Sequence, residues 1–78
     1  MARLRLFASA REAAGVGADE VPGATVGAVL EAAVERYGVD FEGLLPTCRV
    51  WCNGDPAEPS DPVTDRDEIA VLPPVSGG

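Results

Sequence analysis

Two stretches of strand-like sequence bracket one stretch of helical sequence along this chain. Arg3-Leu4-Arg5-Leu6-Phe7-Ala8 alternates, which predicts a strand with Leu4, Leu6 and Ala8 on one face and Arg3, Arg5 and Phe7 on the other. Ser9-Ala10-Arg11-Glu12 matches a capping box, in which Ser9 and Glu12 satisfy each other's backbone N–H groups and start a short helix closed by Gly15. A weaker extended segment spans Ala18 to Val21 and turns at Pro22-Gly23. Thr25 is placed to cap the main helix, where Val26, Val29, Leu30, Ala33 and Tyr37 recur on one face until Gly38. Glu31 and Glu35 fall on its solvent side.

Beyond the helix, Phe41, Leu44 and Leu45 are expected to plug the core from an irregular connection. Residues 47–52 have strand composition and run into Asn53-Gly54, the pair a type I′ hairpin turn demands. Pro56 and Pro59 keep the returning strand short and confined to an edge. The last strand is Glu68-Ile69-Ala70-Val71-Leu72, with Ile69 and Val71 inward. This order predicts an α+β fold: a mixed sheet of four to five strands with one main helix across one face. If its first and last strands pair in parallel at the centre, the connection between them must be a long crossover, which the helix supplies.

One helix covers one face of such a sheet and leaves the other open. By alternation the open face carries Phe7, Trp51, Ala70 and Leu72 beside Arg3, Arg5 and Arg49. Apolar side chains set among arginines, leading into Pro73, read as a docking patch.

Composition narrows the function. Seventy-eight residues make one small domain that buries only about 60% of its unfolded surface, which leaves little room for an enclosed active site. Thirteen acidic residues against six arginines give a net charge of −7. That balance disfavours nucleic acid and anionic membrane and suggests a partner with a basic face. With neither lysine nor histidine, the chain has no side-chain amine for a Schiff base or isopeptide bond and no imidazole proton shuttle. Arg3 and Arg5 interrupt the first apolar run, so it reads as neither signal peptide nor membrane span, and the expected location is cytoplasmic. Cys48 and Cys52 are four residues apart, about 13 Å along a strand, too far for the roughly 7 Å Cα separation of a disulfide. Without further Cys or His they make no metal site, and both are expected to be buried, inert thiols.

The chain ends Pro73-Pro74-Val75-Ser76-Gly77-Gly78, with no charged side chain after Glu68. The prolines favour an extended path with little entropy left to lose on docking. At about 3.1 Å per residue, six residues carry the terminal carboxylate on the order of 19 Å from the body. Two residues without Cβ atoms let that carboxylate enter a channel closed to bulkier ends. The division expected is a body over 1–72 and a flexible, reactive tail over 73–78.

Phe7-Ala8-Ser9-Ala10-Arg11-Glu12-Ala13-Ala14-Gly15, the helix opening at Thr25-Val26, Asn53-Gly54, Asp65-Arg66-Asp67-Glu68-Ile69-Ala70 and the final Pro-Pro-Val-Ser-Gly-Gly together resemble the ubiquitin-like sulfur carriers of the MoaD/ThiS type. Among these they are most similar to small subunits of molybdopterin synthase. One departure is Arg66, where the family usually has glycine. The resemblance implies a ubiquitin-like β-grasp. It also implies a chain that is no enzyme alone but the sulfur-donating small subunit of a heteromeric transferase.

In that family a ubiquitin-activator-like adenylyltransferase uses ATP and Mg²⁺ to adenylate the C-terminal carboxylate, and a sulfur donor enzyme converts it to a thiocarboxylate. The sulfur then passes to cyclic pyranopterin monophosphate on the large molybdopterin synthase subunit, forming the dithiolene of the molybdenum cofactor. Carried over, Gly78 holds the reactive carbonyl and Gly77 keeps its approach clear. Pro73, Pro74, Val75 and Ser76 line the threaded path. Phe7, Leu72 and Trp51 supply apolar partner contacts, with Arg11 a further interface position. No cofactor or metal is expected on the chain itself. A carrier for thiazole, cysteine or thionucleoside synthesis, and a ubiquitin-like protein modifier, use the same kind of tail.

Overall fold

The computed structural model describes residues 1–74. Five strands form one sheet in the order β2-β1-β5-β3-β4, with β1 at Ala2–Leu6, β2 at Ala18–Val21, β3 at Arg49–Cys52, β4 at Asp55–Pro56 and β5 at Glu68–Leu72. The parallel pair β1–β5 lies inside the sheet, and every other pairing is antiparallel. Ala2, Leu4 and Leu6 of β1 and Ile69 and Val71 of β5 are buried on one face, which fixes the register, since a one-residue slip would turn them all to solvent.

The main helix, α2 at Val26–Tyr37, packs Val26, Val29 and Ala33 into that face. Its first N–H groups, which have no partner within the helix, are all satisfied. Thr25 Oγ1 accepts from Ala28 N at 3.1 Å, as its capping position predicts. The carbonyls of Asp61 and Pro59 each accept at 2.9 Å, from Val26 N and Gly27 N. The proline-rich loop before β5 therefore serves as a second cap, and Val63 drops from it into the core.

The connection after α2 is helical, not irregular as the sequence suggested: α3 spans Val39–Leu44 and a 3₁₀ turn follows at Leu45–Thr47. Phe41 is fully buried and meets Tyr37 edge-on, with ring centroids 5.2 Å apart, while Leu44 and Leu45 pack around the same core. The strand predicted over 47–52 accordingly starts at Arg49.

A third helix, α1 at Ala8–Ala14, departs from the predicted capping box. Phe7 holds the N-cap position with extended backbone and no side-chain cap, and Ser9 lies inside the helix. Phe7 N–H still donates to Val71 O at 3.3 Å, so the parallel ladder runs one residue past β1 and the chain turns abruptly at Ala8, whose φ is 50°. Ala8 is thus exposed rather than on the core face. Gly15 closes α1 at φ 81°, donating its N–H to Arg11 O at 2.9 Å.

The two turns at the far end of the sheet support each other. Asn53 and Gly54 have φ of 53° and 88°, the positive pair of the predicted I′ turn. Arg66, where the resemblance expected glycine, is not among the residues with positive φ. Asp67 holds that turn instead, accepting from Thr64 N at 2.7 Å through Oδ2 and from Asn53 Nδ2 at 2.9 Å through Oδ1. This mixed five-stranded sheet with a helix across one face is the ubiquitin-like β-grasp, in the α+β class.

Candidate docking face at the root of the tail

Pairing register places the open-face side chains in three rows across the sheet. Nearest the tail, Leu72 stands opposite Arg49, and Phe7 extends β1 on its other side. In the middle, Arg5 faces Ala18 and Ala70, and Ala70 faces Trp51. Farthest from the tail, Arg3 lies between Glu20 and Glu68. The alternation read from the sequence therefore gathers Phe7, Leu72 and Trp51 on one surface.

Phe7 is 40% exposed, a large apolar side chain left facing water. The Arg5 guanidinium carbon sits 5.7 Å from its ring centroid, within the range of a cation–π contact. Glu68 holds the same guanidinium from the other side at 4.0 Å. Sequence reasoning put Arg5 on this face without giving it a role. The i, i+2 spacing to Phe7 was the available signal.

Arg11 rises from α1 beside the same end of the sheet. Its side chain lies against Gly17, where an added Cβ would come 3.2 Å from Nε. Pro73 and Pro74 follow directly from β5, the first half-buried and the second exposed. Val75, Ser76, Gly77 and Gly78 lie outside the described residues.

Cys48 and Cys52 are free thiols, half-buried rather than buried as expected. Burial pushes the Cys48 thiol above its ordinary range. Burial first, then the carboxylates of Asp67, Asp61 and Asp55, do the same for Cys52. Since the thiolate is the reactive form, both are held in the unreactive state at neutral pH. Among the described residues no group of three or more Cys, Asp or Glu side chains is placed to hold a metal ion, and no helix is long and apolar enough to cross a membrane.

The described body thus gathers Phe7, Leu72 and Trp51 on one open face, where Pro73 leaves its central strand. A family model for the ThiS family matches residues 4–78. The chain belongs to the ThiS family. It is a ubiquitin-like sulfur carrier of the ThiS/MoaD kind.

Solved structures agree in fold. SAMP1 of Haloferax volcanii, a small archaeal modifier protein, is 37% identical over 97% of each chain with a TM-score of 0.76. A putative molybdopterin converting factor subunit 1 from Pyrococcus furiosus is 26% identical over 95% of this chain and 97% of its own, with a TM-score of 0.81. The BexX/CysO complex of Amycolatopsis orientalis contributes a chain 21% identical over the full length of both, with a TM-score of 0.83, a likeness of fold alone. No curated protein matches the chain.

Proposed function

We propose that this ThiS-family carrier donates sulfur to cyclic pyranopterin monophosphate as the small subunit of a cytoplasmic molybdopterin synthase. The observation that carries the reading is the exit of Pro73 from β5 beside Phe7 and Leu72, on a chain whose family match continues through Gly78. A partner gripping the open face receives the tail at a fixed place and direction. Similarity to a molybdopterin converting factor subunit supports the choice of acceptor.

The chemistry starts from a carboxylate with a pKa near 3.5, an anion and a poor electrophile at neutral pH. On a ubiquitin-activator-like adenylyltransferase, a carboxylate oxygen of Gly78 attacks the α-phosphate of ATP, with Mg²⁺ held there, and pyrophosphate leaves. Hydrosulfide released by a donor enzyme then attacks the carbonyl, its new C–S bond replacing the bond to AMP, and a thiocarboxylate remains. Gly77 leaves that approach clear of a Cβ, and Pro73, Pro74, Val75 and Ser76 line the threaded path. Trp51 and Arg11 complete the partner contacts of Phe7 and Leu72. On the large synthase subunit the thiocarboxylate sulfur bonds to the pterin, and water then attacks the Gly78 carbonyl, breaking its C–S bond so that sulfur stays on the pterin and the carboxylate returns.

Intact-mass measurement tests this after incubation with the activating enzyme of the same organism, ATP and a sulfur source. The expected product has one oxygen replaced by sulfur, and adding the large subunit with the pterin consumes it. Absence of that product refutes the carrier step. Its persistence in the presence of the pterin, with loss instead to a thiazole, cysteine or thionucleoside precursor, moves the acceptor. Similarity to a protein named as a modifier supports a second reading, in which the activated carbonyl is passed to lysines of other proteins, and heavier conjugates mark it.

A further inference from the structure

Net charge and local charge disagree at the candidate docking face. The chain as a whole is −7, which by itself favours a basic partner. Along the open face the charges are sorted. Glu20, Glu68, Asp67, Asp65 and Asp55 gather at the end that holds both turns, where they outnumber Arg3, Arg66 and the Met1 amine. Leu72 is four strand residues further on, about 13 Å away. There Arg49 stands directly opposite Leu72, Arg5 lies over Phe7, and Arg11 projects from the adjoining helix.

Three of the chain's six arginines therefore surround the apolar patch. Arg5 is shared with Glu68 at 4.0 Å, whereas Arg11 and Arg49 make no ion pair among the described residues. Glu12 is the one carboxylate on α1, and Glu31, Glu35, Asp40 and Glu42 sit on the helices that cover the opposite face.

We infer that the open face docks a partner protein through an apolar socket rimmed with carboxylates, and that the acidic remainder of the chain orients the approach instead of making the contact. The inference rests on the carrier reading and adds to it the chemistry of the partner surface. An acidic socket attracts the arginine-bearing end and repels the far end and the helical layer. Only the orientation that brings Pro73 to the socket is then favoured. Screened rim charges of this kind act mainly on encounter rate and on salt dependence.

The chain has a single tryptophan, Trp51, and it lies on this face. Labelling it with 5-fluorotryptophan gives one fluorine resonance that reports docking. The experiment titrates the labelled chain with the activating enzyme of the same organism while intact mass follows thiocarboxylate formation. Arg49→Glu is expected to raise Kd about tenfold, a loss of about 1.4 kcal/mol, and to remove most of its salt dependence, with Arg49→Lys restoring both. The double substitution Glu31→Gln, Glu35→Gln is expected to leave Kd within about twofold.

Tighter binding by Arg49→Glu, or weaker binding by the glutamine pair, would show that net charge governs docking and overturn the inference. So would thiocarboxylate formation with an unmoved fluorine line, or a line that shifts with the chain's own concentration alone, the signature of a second copy on the face. A shifted line with normal charge responses but no thiocarboxylate sinks the carrier reading and leaves the face standing.

Discussion

The Asn53 side chain donates to the Asp67 carboxylate at 2.9 Å, and its own carbonyl oxygen accepts from Glu68 N at 2.9 Å. One side chain thus ties the β3–β4 turn to the start of β5. Asn53 also occupies φ 53°, where a Cβ-bearing residue without a short polar side chain costs about 1–2 kcal/mol. Asn53→Ala is expected to lose roughly 2–3 kcal/mol in urea unfolding, combining that strain with the broken bonds. Asn53→Gly removes the strain and should recover about half of the loss. Equal losses in both variants would show that only the hydrogen bonds matter.

Asp19 joins β2 to the end of α2. Its Oδ2 accepts from Tyr37 Oη at 2.8 Å and from Arg36 at 3.0 Å. The Tyr37 bond, then the Arg36 bond, hold its carboxyl below the ordinary range, while burial and Asp19 push the Tyr37 hydroxyl far above its own. A carboxyl depressed in the folded state stabilises above its unfolded pKa, about 3.9, and that contribution is lost as pH falls through the folded value. Asp19→Asn should therefore cost up to about 1 kcal/mol at pH 7, the site being partly exposed, and the difference from the parent should shrink as pH falls below the unfolded value and close once it is below the folded one. Thermal unfolding across pH measures it. A gap independent of pH would contradict the assignment.

Two glycines should respond oppositely to alanine. At Gly23, φ is 153° and a Cβ would lie 2.6 Å from Val29 N and 2.7 Å from Val29 Cγ2, against the backbone of α2. Gly23→Ala is expected to destabilise by roughly 2–4 kcal/mol, from overpacking and backbone strain together. Gly43, inside α3, has nothing within 4 Å of such a Cβ, so Gly43→Ala should stabilise by about 0.5–1 kcal/mol through helix propensity. Denaturant midpoints of the two variants check both signs.

Leu72→Glu places a charge on the open face at the tail root. The half-buried position faces away from the core, so a monomer of unchanged fold, within about 1 kcal/mol of the parent, is expected. Binding to the large subunit should fall steeply, and normal co-elution would refute the docking face. Appending a residue after Gly78, or replacing Gly77 with Trp, should abolish sulfur transfer and leave unfolding unchanged. An active variant of either kind would refute threading of the tail.

The sheet was legible in the sequence because its signals were redundant. Leu4 and Leu6, Ile69 and Val71, and Asn53-Gly54 each marked a face or a turn, and the long interval between β1 and β5 left room for the crossover that their parallel pairing needs. The start of α1 was not legible, since Ser9 and Glu12 have capping-box chemistry but the ladder bond from Phe7 N–H to Val71 O moves the helix start to Ala8. Nor was α3, whose six residues are too short to show a period and contain Gly43. Phe41, fully buried, holds that turn in place through tertiary packing. At the face, alternation supplied Phe7, Trp51 and Leu72, but the grouping of the arginines depends on strand order, which no local pattern contains.

The parallel pairing of β1 with β5 joins segments more than sixty positions apart, Arg3 to Glu68 and Leu6 to Val71. Contacts of such high contact order close late, because the intervening chain must first lose its freedom. A polypeptide interrupted before residue 68 lacks β5, the strand that both β1 and β3 pair with, and Leu4 and Leu6 lose Ile69 and Val71 from their core. Assembly of the body and delivery of its C-terminal segment are therefore one cooperative event.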